Sequence, residues 1–111
     1  MSNNDIERKI AVIFATDLVD YSKHIEKDEN ATLLGLRECN KIIEIIIKKQ
    51  KGRIFNTGWD SVFVEFPSAV AAVDTAVELK NQIKDRNDKD TTDIKLDYRI
   101  GINMGDVVKE G

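Results

Sequence analysis

The sequence is poor in cysteine, proline, histidine and aromatic residues, and it carries no surplus of positive charge. A single cysteine, Cys39, among 111 residues excludes a disulfide within the chain and fits a reducing compartment. A single histidine, His24, leaves no His/Cys cluster to hold a metal. Seventeen Lys and Arg against twenty Asp and Glu give a net charge of -3. Proteins that grip a phosphate backbone show a net positive field or a clustered basic face, so nucleic acid is not the expected partner. No apolar run approaches the ~20 residues of a membrane-spanning helix, and the polar N-terminus is not a signal peptide. What is present, 41% hydrophobic and 33% charged residues, is the balance of a soluble domain with one core. A cytoplasmic location is expected.

Residues 1–9 are polar and read as a flexible lead-in. Ile10 to Ala15 is continuously apolar, the pattern of a strand buried on both faces, and it stops at Thr16-Asp17. Residues 30–49 read as a helix whose apolar face holds Leu33, Leu36, Ile42, Ile43, Ile46 and Ile47, with Gly52 as its stop. Arg53 to Thr57 and Ser61 to Phe66 form a hairpin turning at Gly58 and Trp59. Ser68 caps a second helix to about Lys84, with Ala69, Ala72, Val73, Ala76, Val77 and Ile83 on one side. Residues 85–93 read as a charged loop. From Ile94 to Met104 apolar and polar residues alternate, a long strand with one buried face. After Gly105-Asp106 another hairpin is expected to open. The order predicts an α+β fold, a ferredoxin-like βαββαβ core with an antiparallel sheet and helices on one face.

In that topology the end of the first strand meets the start of the third, which brings Asp17 and Asp60 to one sheet edge. Two acids there repel unless something positive lies between them. A divalent cation with oxygen ligands satisfies them, and Mg²⁺ takes one or two carboxylates together with water and substrate phosphate. The segment from Leu18 to His24 could form a helical turn whose amides receive phosphates. The alternative stays open: Asp17 merely caps that turn and Asp60 is a hairpin residue.

Asp17-Leu18-Val19-Asp20-Tyr21-Ser22 resembles the first metal-binding segment of class III adenylate and guanylate cyclases. The segment from Gly52 to Phe66 resembles the one carrying their second metal aspartate, at Asp60. Arg99-Ile100-Gly101-Ile102-Asn103-Met104-Gly105-Asp106-Val107 resembles the strand that follows in bacterial members. The resemblance runs in order from Ile10 to Gly111, so residues 10–111 are expected to form part of such a domain. It implies that Asp17 and Asp60 bind two Mg²⁺ or Mn²⁺ ions, with the backbone carbonyl of Leu18 as a further ligand. It also implies that Val19, Asp20, Tyr21, Ser22, Asn56 and Trp59 contact a nucleoside triphosphate, ATP or GTP. In the family the triphosphate's 3′-hydroxyl attacks its own α-phosphorus, releasing pyrophosphate and a cyclic nucleotide, in a head-to-tail homodimer.

Three residues depart from the family pattern. Trp59 stands where glycine is common and lacks its freedom at positive φ. Asp20, also at a position where glycine is common, adds a negative charge to the loop expected to bind triphosphate. Asn56 stands where many adenylate cyclases have a base-reading lysine. Three roles stay open for Trp59: packing at an interface, stacking on a base, or disabling the site. The family's transition-state asparagine and arginine are expected beyond Gly111, so the 111 residues alone are expected to be inactive or nearly so. The alternative function is a degenerate cyclase-like module that dimerises or regulates without chemistry. Arg99 and Asp106 are expected to serve an exposed or interface role and a turn.

Overall fold

The apolar run Ile10 to Ala15 lies inside a long central strand. A computed structural model describes residues 6–110, and side-chain surroundings for residues 10–106. The elements are β1 (Ile6–Leu18), α1 (Tyr21–Lys27), α2 (Glu29–Lys49), β2 (Arg53–Thr57), β3 (Ser61–Phe66), α3 (Ala69–Lys89) and β4 (Tyr98–Glu110). The strands form an antiparallel sheet in the order β2-β3-β1-β4. This is the expected ferredoxin-like core, with the short α1 added ahead of the first long helix.

Successive strand residues point to opposite faces, so Val12, Phe14, Thr16 and Leu18 share one side of β1 and all four are buried. There they meet the apolar faces of α2 and α3, with Phe14 and Phe66 edge-on at 5.5 Å between ring centroids. On the helix-free side Ile13, Ala15 and Asp17 remain partly exposed. Asp28 caps α2 by accepting from the Ala31 N–H at 3.0 Å, and Ser68 caps α3 by accepting from the Ala71 N–H at 3.1 Å. Cys39 is fully buried in the core, and burial pushes its thiol pKa up. Among the described residues no helix is long and apolar enough to cross a membrane.

Several boundaries differ from expectation. β1 starts at Ile6, so residues 6–9 belong to a strand; residues 1–5 lie outside the described ones. β4 answers that extension by pairing with β1 from Leu18↔Tyr98 to Ile6↔Glu110. No turn forms at Gly105-Asp106, because Ala11 and Ile10 supply ladder partners for these two residues. β4 begins at Tyr98 and not at Ile94, although Ile94 and Leu96 are buried. The Asn87 amide takes the place of a strand partner there, donating to the Leu96 carbonyl at 2.7 Å and accepting its N–H at 3.2 Å.

Residues 85–89, expected in a loop, are the last turn of α3. They contain no Gly or Pro to break it, and Arg86 packs its guanidinium inward, 3.2 Å from Glu38 and 3.6 Å from Asp90. Leu33, Val73 and Val77 are exposed instead of lying on the buried helix faces. Thr32 and Cys39 on α2, and Thr75 and Leu79 on α3, fill those places.

The left-handed residue that ends α2 is Lys51, at φ 61, and not Gly52. Gly52 matters for space. A Cβ there would lie 2.6 Å from Phe66, 2.8 Å from Val64 and 2.9 Å from Ile47, all core side chains. Gly52→Ala should therefore cost about 1–3 kcal/mol through overpacking, measured as a lower urea midpoint. An unchanged midpoint would show that the α2–β2 junction shifts freely.

Candidate functional site

Asp17 is the penultimate residue of β1 and stands opposite Ser61 on β3 and Arg99 on β4. The Leu18 N–H donates to the Asp60 carbonyl at 2.8 Å, and the Val19 N–H donates to the Asp97 carbonyl at 2.8 Å. These two bonds hold the end of β1 between the β2–β3 hairpin and the entry to β4. The fold therefore brings the backbones of Asp17, Leu18 and Asp60 together at one sheet edge, as the topology predicted.

The Asp17 carboxylate has a partner the sequence did not reveal. Arg99 grips it with two hydrogen bonds, Nη2 to Oδ2 at 2.7 Å and Nε to Oδ1 at 3.3 Å. Both side chains are solvent-accessible, 42% for Asp17 and 70% for Arg99. The hydrogen bond and charge of Asp17, with a further contribution from the charge of Asp20, hold the Arg99 pKa above its ordinary value. The signal available in the sequence was register: an antiparallel β1–β4 pair places residue 99 beside residue 17. On the other side of the sheet burial drives the Tyr98 phenol far up, and the Cys39 thiol and the charge of Asp60 push it the same way.

Asp20 adopts the left-handed region, φ 58 and ψ 38, as it enters α1, and its side chain makes no capping bond. That geometry explains why glycine suits the position, since a side chain there is strained and Asp is among the residues that tolerate it. Asp20→Gly should raise stability by up to about 1 kcal/mol. Urea unfolding checks this, and a loss of stability would contradict the strain. Val19 and Tyr21 beside it are half-buried, and Ser22 is exposed.

At the hairpin the Gly58 N–H donates to the Ser61 carbonyl at 2.8 Å. Neither Gly58 nor Trp59 has positive φ; among the described residues only Asp20 and Lys51 do. The tryptophan therefore strains no backbone, contrary to expectation. Trp59 is 75% exposed and borders a cavity of about 410 Å³ against α2, alongside Leu36, Arg37 and Lys41.

Asn56 lies exposed on the edge strand β2, opposite Phe63, and β3 separates it from Asp17. Phe55 and Phe63 are partly exposed, with ring centroids 6.2 Å apart, and Arg53 stands 5.8 Å from the Phe55 centroid. Sequence reasoning missed this aromatic pair because the register shift between Ile54 and Asn56 breaks the simple alternation along β2.

The Asp17 and Asp60 carboxylates and the Leu18 backbone carbonyl are oxygen donors of the kind Mg²⁺ and Mn²⁺ take. Among the described residues no group of three or more His, Cys, Asp or Glu is placed to hold a metal. The cation now opposite Asp17, the guanidinium of Arg99, marks the position as one that takes positive charge. The residues fit the group.

No family model matches the chain. A protein of Rhizobium meliloti (strain 1021), candidate adenylate cyclase 3, is 35% identical over 111 residues, 99% of this chain and 19% of that relative. An adenylate/guanylate cyclase/hydrolase from Silicibacter pomeroyi is 31% identical with a TM-score of 0.79, over 96% of this chain and 62% of that one. The adenylyl cyclase CyaB of P. aeruginosa is 26% identical with a TM-score of 0.75, over 95% of this chain and 60% of that one. The chain thus spans about a fifth of the curated relative and about three fifths of each solved domain. The resemblance to class III adenylate and guanylate cyclase domains is borne out over nearly the whole of this chain.

Proposed function

We propose that these residues supply the metal-binding part of a nucleotide cyclase site that converts ATP or GTP to a cyclic 3′,5′ nucleotide and pyrophosphate. The observation that carries this reading is the Asp17↔Ser61 register with the Leu18–Asp60 bond, which sets two family-matched aspartates at one sheet edge. Asp17 and Asp60 would hold two Mg²⁺ or Mn²⁺ ions, with the Leu18 carbonyl as a further ligand. Such ions, when bound, polarise the α-phosphate and favour ionisation of the attacking hydroxyl. Val19, Asp20, Tyr21 and Ser22 would orient the triphosphate, and Asn56 and Trp59 the base. The helix-free sheet face, with Phe55 and Phe63 partly exposed, supports pairing with a second copy in a head-to-tail homodimer.

The test is a chimera in which these 111 residues replace the matching part of the Silicibacter pomeroyi domain. With Mn²⁺ and ATP or GTP it should form cyclic product, whereas the 111 residues alone should form little or none. No product from an intact chimeric dimer would overturn the reading. A second reading, a cyclase-like module without chemistry, is favoured by one observation: Arg99 already neutralises Asp17. Clear binding of Mn²⁺ with a non-hydrolysable nucleotide counts against it.

A further inference from the structure

Three carboxylates, Asp17, Asp20 and Asp60, belong to one end of the sheet, on or beside β1 and β3. Among the described residues only one cation forms an ion pair with any of them, and that is Arg99 on the neighbouring strand. The pair is a two-point fork, guanidinium Nη2 and Nε each meeting one oxygen of Asp17. This planar match is one that arginine, and not lysine, makes with a carboxylate. It uses both oxygens of the group assigned above as a metal ligand.

We infer that Arg99 is a built-in competitor for the divalent cation at Asp17, so that metal enters only as the guanidinium leaves. This rests on the reading of Asp17 as a ligand and adds a residue that sets its affinity. Each oxygen of Asp17 carries two lone pairs, so the fork does not fill the carboxylate. It holds a positive charge where the ion must sit, and a dication is repelled twice as strongly as a monocation at the same distance. Arg99 is exposed and anchored to no other group among the described residues. An exposed ion pair is weak and readily exchanged, so this competition tunes the site instead of blocking it. In the metal-free state the pair keeps the acid-rich edge from repelling itself.

The test is Mn²⁺ titration followed by the paramagnetic resonance of the free ion, on the full chain at pH 7, with circular dichroism to show each variant folded. Arg99→Gln should bind Mn²⁺ about tenfold more tightly than the parent, the size expected when one positive charge is removed a few ångströms from a dication in a solvent-rich site. Arg99→Lys, which keeps the charge, should stay within about threefold of the parent. Asp17→Asn should abolish the gain when combined with Arg99→Gln. Equal affinity in the parent and Arg99→Gln overturns the competition but leaves Asp17 as a ligand. Binding that survives Asp17→Asn unchanged, or no binding by the parent and Arg99→Gln alike, overturns the metal reading and the competition with it.

Discussion

Asp60→Asn in the chimeric domain should lower cyclic-nucleotide formation by at least about a hundredfold. A metal ion supplies several kcal/mol of charge stabilisation, and each 1.36 kcal/mol is about tenfold in rate. The substitution is informative because it spares the fold. Among the described residues Asp60 acts structurally through its backbone, accepting the Leu18 N–H at 2.8 Å, and asparagine keeps that carbonyl. No hydrogen bond or ion pair is formed by its carboxylate among the described residues. A variant with unchanged unfolding and lost turnover would isolate the carboxylate's chemical role. Activity within about tenfold of the parent would mean that Asp60 holds no essential ion.

Phe14→Ala should cost about 3–5 kcal/mol, the range for deleting a buried phenylalanine. Phe14 sits in the middle of the central strand, paired with Val64 on β3 and Ile102 on β4, and is wholly buried. Its ring meets Phe66 edge-on at 5.5 Å, an arrangement that adds to the burial itself. Domains carry only about 5–15 kcal/mol of net stability, so this one change should consume much of it. Chemical denaturation with near-ultraviolet circular dichroism reads the loss. A cost below about 1 kcal/mol would mean that the surrounding side chains close the cavity.

Most of the architecture was legible because two periodicities were clean. The β2–β3 hairpin was read at its observed bounds, and α2 within one residue. Where the sequence misled, the reason was a contact between distant residues. Alternation from Ile94 to Leu96 reads as strand, yet Asn87 satisfies that backbone from the helix end. Residues 85–89 look like loop by charge, but Arg86 buries its guanidinium against Glu38 and Asp90 and keeps them helical. The extension of β1 to Ile6 depends on β4 running beside it to Glu110, and the polar composition of residues 6–9 says nothing of that.

The candidate site was legible as topology and only partly as chemistry. Placing Asp17 and Asp60 at one edge required strand order alone, and the order held. The Arg99–Asp17 fork needed residue-level register, which strand order does not supply. Asp20 looked like a charge problem in the sequence and proved also to be a backbone one, since only its φ of 58 shows why glycine fits there. Trp59 shows the reverse: a suspected backbone conflict dissolves, leaving an exposed ring beside α2.

Anomalous diffraction from crystals of the chimeric domain, grown with Mn²⁺ and a non-hydrolysable triphosphate, bears most directly on whether residues 17 and 60 share cations. The expected map has manganese peaks within coordination distance of carboxylate oxygens from both Asp17 and Asp60, with the Arg99 guanidinium displaced from Asp17. Peaks that touch neither residue, or a nucleotide bound while the Asp17–Arg99 fork stays closed and metal-free, would contradict it.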